Sequence, residues 1–270
     1  VAFIGIGGAY LLSAATSTLS FFFLMRLPAT EPPPRPVGQS TMGNPFAEIA
    51  EGVRYAMDRP RLRRLIITSF FVIMFGFNNV AFLPALVKGE YDLGDTRVGL
   101  ISSASAIGAV AVSLPLASRA DSPRAKTVMV AAGMAFGLGV VALGTAPSFW
   151  MAFAVICFVG AATTIYQSLS NTLALALADD SHQGRVQSLM QLSFAGFGIA
   201  ALPLGGLAEL VGLRLAIVVM GAVATAAVAI YLLAEGGWAG VRASSTPSDT
   251  QATDSVQDDD VLVESPAAGS

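Results

Sequence analysis

In a chain this apolar, the polar side chains inside the long hydrophobic runs are the ones able to do chemistry. Phe71, Phe75, Asn78 and Phe82 follow i, i+4, i+7, i+11, with Asn79 adjacent. On a helix that spacing puts them on one face. The face would be an aromatic wall with amide donors, suited to a large amphipathic solute. Amides in the middle of a membrane span are costly without partners, so hydrogen bonding within the bundle is an equal reading. Thr163, Gln167 and Asn171 recur every four residues, with Thr164, Tyr166 and Ser170 beside them. A stripe that polar must face water or protein rather than lipid, and lining of a substrate cavity is the expected role. Gln187 and Gln191 repeat the spacing, where packing at a helix end is expected.

Other chemistries are poorly supplied. The single histidine, His182, excludes sites that need two, and zinc has too few ligands. An aspartyl intramembrane enzyme needs two membrane Asp residues, and the apolar runs hold none. No Gly-x-x-x-x-Gly-Lys loop occurs, so direct ATP use is not expected. The lone cysteine, Cys157, can form no internal disulfide. We expect no catalytic residues, no metal and no cofactor. No basic patch tracks phosphates, so nucleic acid is not an expected partner.

The elements that must position these residues follow from composition. Of 270 residues, 54% are hydrophobic and only 12% charged, about half the ~25% of soluble domains. Seven long apolar runs occur: Phe3–Met25, Leu65–Val87, Val98–Ala117, Thr127–Thr145, Phe149–Thr172, Val186–Ala208 and Leu215–Ala234. Each can cross a ~30 Å hydrocarbon core at ~1.5 Å per residue. Only helices satisfy their backbone there, since the ten-residue alternation of a β-barrel is absent. An all-α, polytopic membrane bundle of seven transmembrane helices is predicted. With alternating sides, 12 of the 15 Lys and Arg residues fall on one side. That side is predicted to be cytoplasmic, putting the N-terminus outside and the C-terminus inside. The expected membrane is the plasma or inner membrane, with the lipid bilayer as first partner.

The connections predict the organisation. Residues 26–64 open on a Pro-rich stretch and continue into Pro45–Asp58, where Phe46, Ile49, Val53 and Met57 recur at helical spacing. This predicts a cytoplasmic linker carrying an amphipathic helix, lying at the interface or making a few buried contacts. Residues 65–234 are predicted as a six-helix bundle of two three-helix repeats. Residues 235–270, with seven of the 18 acids and only Arg242 as a base, are predicted as a disordered acidic tail. The isolated first run, residues 1–25, reads as the last helix of a bundle absent from this chain. With Val rather than Met at position 1, it suggests a fragment.

Three segments resemble the C-terminal half of major facilitator superfamily transporters, closest to the multidrug, macrolide and siderophore exporter branch. Ala178-Asp179-Asp180-Ser181-His182-Gln183-Gly184-Arg185-Val186-Gln187-Ser188 is similar to the loop between the family's tenth and eleventh helices. The resemblance implies a cytoplasmic gate built on Asp180 and Arg185. Leu116-Ala117-Ser118-Arg119-Ala120-Asp121-Ser122-Pro123-Arg124-Ala125-Lys126 resembles a degenerate second copy of the family's Gly-x-Leu-Ala-Asp-Arg-x-Gly-Arg-Arg loop. It adds Arg119, Asp121 and Arg124 to that gate, although Ser118 stands where the Asp is expected. Gly196, Gly198, Pro203, Gly205 and Gly206 resemble the family's Gly- and Pro-rich exporter helix, implying close packing or a hinge.

The resemblance implies a secondary active transporter that exports a drug-like or amphipathic small molecule by alternating access about a midplane site. A proton is the candidate coupling ion. No run holds a deep ionisable group, so a coupling carboxylate would belong to the other bundle. A seven-span receptor, a membrane scaffold and a half-transporter needing a partner chain are the alternatives. A retinal-type pigment is disfavoured because no Lys follows Lys126.

Overall fold

The computed structural model describes residues 5–26, 45–117 and 124–243. Among these residues the only regular secondary structure is helical. The helices are α1 (Gly5–Met25), α2 (Pro45–Asp58), α3 (Pro60–Glu90), α4 (Asp95–Ala117), α5 (Ala125–Thr145), α6 (Phe149–Ala176), α7 (Gln183–Val211), α8 (Leu213–Ala234) and α9 (Gly237–Ala243). Helices α3 to α8 are long and apolar enough to cross a membrane. The first expected span is α1, whose apolar stretch Tyr10–Met25 is shorter than the other six.

Helix α3 starts earlier and ends later than its apolar run. Pro60 sits in its first turn, where the missing N–H costs nothing. Arg61, Arg63 and Arg64 therefore ride on the helix instead of preceding it. Their long stems let the charges reach water from the helix end. Within α3 the α-helical spacing is broken twice by π-helical segments, Val72–Gly76 and Leu86–Glu90. The second follows Pro84, which removes one helical hydrogen bond.

The packing repeats itself. Helix α6 lies against α4 and α5, and α3 lies against α7 and α8. Exchanging α3 with α6, α4 with α7 and α5 with α8 maps the first set of contacts onto the second. The α5–α8 pair maps onto itself. These are the relations of two three-helix repeats about a pseudo-two-fold axis. Among α3 to α8 the least covered helices, α4 and α7, are equivalent positions in the two repeats.

Lipid is as apolar as leucine, so close van der Waals contact has to hold these helices together. Small residues permit it. A Cβ on Gly108 of α4 would lie 1.8 Å from the Cys157 carbonyl oxygen of α6, and one on Gly160 of α6 2.2 Å from that of Ser105. A Cβ on Gly221 of α8 would meet the Val141 nitrogen at 2.5 Å, joining α8 to α5.

The two ends are tied by ion pairs. At the end away from the basic linker, Arg214 Nε donates to Glu90 Oε2 at 2.6 Å and Arg214 Nη1 to the Ala146 carbonyl at 2.7 Å. The Tyr91 hydroxyl donates to that carbonyl at 2.9 Å. At the basic end, Glu235 receives Arg64 at 2.7 Å and also Lys126. Three helices, α3, α5 and α8, converge on that carboxylate.

Glu235 corrects the reading of the tail. The residues from 235 to 243 are folded: Gly236 (φ +84) turns the chain at the end of α8, and Val241 of α9 is fully buried. A carboxylate two cations can reach and an apolar side chain a crevice can take are enough to hold this short helix. Residues 244–270 lie outside the described residues.

Candidate functional site

The candidate cavity residues come from α3 and α6, equivalent helices of the two repeats. On α6, Thr163, Gln167 and Asn171 are half-buried and form no hydrogen bond among the described residues. Thr164 back-bonds to the Gly160 carbonyl at 2.9 Å. Tyr166 lies elsewhere, in the interior of the half-bundle and 2% exposed. Its hydroxyl is 3.4 Å from Ser69 Oγ, which is 2.7 Å from Ser170 Oγ. This buried hydroxyl cluster joins α3 to α6. Ser69 carried no sequence signal, because a serine within an apolar run does not reveal which neighbour it will meet.

On α3 the π-helical turn at Val72–Gly76 changes the phase of the expected face. Phe71 is 42% exposed and stacks parallel to Phe75, ring centroids 6.2 Å apart. Phe82 is half-buried. Asn78 is fully buried instead of facing outward with the aromatics. Its Nδ2 donates to the Met74 carbonyl at 2.6 Å and across to the Phe197 carbonyl of α7 at 3.3 Å. Asn79 Nδ2 donates to the Gly76 carbonyl at 2.6 Å. A π-turn leaves carbonyls without their usual i+4 donors, and both amides turn back to supply them. Asn78 Oδ1 stays buried without a partner among the described residues. The two amides splint a bend in α3, and Asn78 pins that bend to α7.

The second constellation is at the basic end. Arg185, the first basic residue of α7, pairs with Glu51 of α2 at 2.8 Å. The loop acid seen with a partner is Asp179, next to the expected Asp180. Asp179 accepts from both Arg59 amino groups and from the Tyr55 hydroxyl. The Asp180 side chain, Arg119 and Asp121 lie outside the described residues, and Arg124 occupies the N-cap of α5. The Tyr55 ring stacks on His182, centroids 4.1 Å apart, and Arg59 lies 4.2 Å from its centroid. Among the described residues, Arg185 and Asp179 thus pair with the linker helix and the residue that follows it. Both ends of the α6–α7 turn are clamped to α2. The small face of α2, Gly52 and Ala56, is buried, while Val53 and Met57 of the expected apolar stripe are exposed.

The clamp has a defined pH dependence. The Arg59 guanidinium, then the Tyr55 hydroxyl, hold the Asp179 carboxyl below its ordinary range. A carboxylate depressed in the folded state contributes fully above its unfolded pKa of about 4. Its contribution is lost as pH falls through the lower folded value. With Cys157→Ser as background, spin labels at Arg54→Cys and Ser188→Cys should keep one distance from pH 7 to pH 5. The distance should broaden only under stronger acid. Asp179→Asn should show the broad distribution already at pH 7. An Asp179→Asn distribution as narrow as the parent's would show that Asp179 does not hold the clamp.

The glycines of α7 divide. A Cβ on Gly196 would lie 3.0 Å from the Phe70 ring, so this residue packs on α3. Around Gly198, Gly205 and Gly206 nothing lies within 4 Å. Pro203 is exposed. The close packing expected at those three glycines is found at Gly108, Gly160 and Gly221 instead, because α7 is among the least covered helices.

A family model described as Major Facilitator Superfamily matches residues 65–257. The chain is 24% identical over 204 residues to the enterobactin exporter EntS of Citrobacter koseri, covering 75% of this chain and 47% of the relative. It is 23% identical over the same length to the enterobactin exporters EntS of Shigella flexneri and of Escherichia coli O1:K1 / APEC, with the same coverage. The chain spans about half the length of these curated relatives.

Proposed function

The chain belongs to the major facilitator superfamily, and from that premise we propose that it provides one half of an exporter of small amphipathic molecules, siderophore-like or drug-like. The half-bundle would work by alternating access against a second bundle. The observation that carries this reading is the unpartnered polar stripe of α6, Thr163, Gln167 and Asn171. Half-buried amides and a hydroxyl without protein partners suit a surface that meets water and solute.

The exposed Phe71 and its stacked neighbour Phe75 add an aromatic surface on α3. The middle of the spans holds no Lys, Arg, Asp or Glu. Recognition from this half would rest on stacking and hydrogen bonding, and a proton-coupling carboxylate would come from the other bundle. Asn78 acts in this reading as the pin between α3 and α7, two helices that must shift together. The clamp of α2 on the α6–α7 turn closes the basic side, which the excess of Lys and Arg assigns to the cytoplasm of the cell membrane. The N-terminus would then lie outside and the C-terminus inside.

The test is export from cells expressing the complete transporter, followed with a fluorescent amphipathic dye and with a siderophore. Gln167→Leu should lower efflux about tenfold, the loss of roughly one hydrogen bond's worth of discrimination. Membrane abundance should stay unchanged, since no hydrogen bond among the described residues is removed. Efflux at the parent rate in both Gln167→Leu and Asn171→Leu would remove the stripe from the transport path.

A further inference from the structure

The linker helix leaves one surface uncovered at the basic end. Val53 and Met57 are 37% and 43% exposed. Arg54 adjoins Val53 on α2, and Arg61 and Arg63 follow on the first turn of α3, all exposed and without an ion pair among the described residues. Arg63 Nη1 lies 3.4 Å from the Met57 carbonyl, which places this guanidinium at the C-terminal end of α2. Of the carboxylates described on α2, Glu51 is committed to Arg185, leaving Asp58 against three cations. The surface is therefore a small apolar patch bordered by net positive charge.

The same chain contains a segment of matching chemistry. Residues 258–264 read Asp-Asp-Asp-Val-Leu-Val-Glu: three acids, three branched apolar residues and a fourth acid. No base follows Arg242. The chain also leaves the bundle in the right place. Arg64, next to Arg63, donates to the Ala234 carbonyl at 3.0 Å and pairs with Glu235, so the end of α8 adjoins the start of α3. After α9, the Ser-, Thr- and Asp-rich residues 244–257 join Ala243 to Asp258. A chain segment of that length and composition, treated as a random coil, has a root-mean-square span of roughly 20 Å and gives an effective concentration in the millimolar range. Weak side-chain complementarity is then sufficient for occupancy.

We propose that residues 258–264 dock on the surface formed by Val53, Met57, Arg54, Arg61 and Arg63. Asp258, Asp259 and Asp260 meet the arginines, and Val261, Leu262 and Val263 cover Val53 and Met57. The docked segment lies over the helix that clamps the α6–α7 turn. It adds a layer that ionic strength controls, because exposed charge pairs weaken as salt shortens the screening length.

The test uses the full chain with a photo-crosslinking amino acid in place of Leu262. The protein is reconstituted in vesicles of neutral phosphatidylcholine and in vesicles containing phosphatidylglycerol. Crosslinks should map to residues 53–63 of the same chain in both. Their yield should fall at least fivefold in Arg54→Gln/Arg61→Gln/Arg63→Gln and in Asp258→Asn/Asp259→Asn/Asp260→Asn. These substitutions touch only exposed arginines or the segment itself, so the fold should hold, as a matching thermal transition would show. Raising salt from low to about 0.5 M should lower the yield in the same direction. Crosslinks confined to other residues, joined to a second copy, or insensitive to both triple variants would overturn the proposal. So would loss of the crosslink in phosphatidylglycerol vesicles, which would assign the surface to lipid headgroups.

Discussion

Replacing Gly108 with alanine should cost this chain about 3 kcal/mol or more of stability, toward or beyond the upper end of overpacking effects. The new Cβ would sit 1.8 Å from the Cys157 carbonyl oxygen and 3.0 Å from the Ala161 nitrogen. Both are backbone atoms of α6, so no side-chain rotation relieves the contact. Helices α4 and α6 must move apart, and the contact between them is lost along the seam. Helix α4 has little else to hold it, being among the least covered helices. Gly160→Ala should behave similarly, since its Cβ would meet the Ser105 carbonyl oxygen at 2.2 Å. Gly198→Ala is the control: nothing lies within 4 Å, and alanine is the better helix former. Unfolding of the purified chain in detergent, followed by circular dichroism, separates the cases. A Gly108→Ala transition equal to that of Gly198→Ala would refute the close approach of α4 and α6.

Glu235→Ala should cost roughly 3 kcal/mol. Its side chain is 6% exposed and serves Lys126, itself 14% exposed, and Arg64, 35% exposed. Removing the carboxylate takes a shared ion-pair partner from two cations at a helix junction, the costly way to break a buried pair. Partial solvation of Arg64 lowers the cost from the top of the usual range. The double variant Glu235→Ala/Lys126→Met should recover part of the loss, because it removes a little-exposed cation along with the carboxylate that paired with it. The same unfolding measurement decides it. A double variant no more stable than Glu235→Ala alone would mean that Lys126 was never held by that carboxylate.

Glu235 also marks where sequence reading stops. Its neighbours in the chain are glycines followed by a polar, acidic stretch, so composition places it in a tail. Its partners lie 109 and 171 residues away, and no local pattern points to them. Asp179 and Asp180 show the same limit at closer range. Two adjacent acids are equivalent in sequence, and only the position of Arg59 and Tyr55 distinguishes them. The amide face of α3 left two readings open, and the hydrogen bonds of Asn78 and Asn79 follow the one within the bundle. Projecting residues at the α-helical period assumes unbroken α-helix, and the π-turn at Val72–Gly76 rotates everything after it. Its side-chain signal was present as Asn78 and Asn79, whose proximity to a glycine, Gly76, suits amides repairing a broken ladder.

The number of long helices, their apolar character and the alternation of charged ends were determined by the sequence itself. They follow from one-dimensional constraints: a hydrocarbon layer sets the length, an unsatisfied backbone forbids anything but helix, and Lys and Arg collect at ends where they reach water. The tertiary structure alone decided which glycines let backbones touch, which acid each arginine holds, and which face of α2 is buried. Those outcomes depend on which helices become neighbours. In an apolar solvent that choice rests on close contact between small residues, and hydrophobicity along the chain carries almost no record of it.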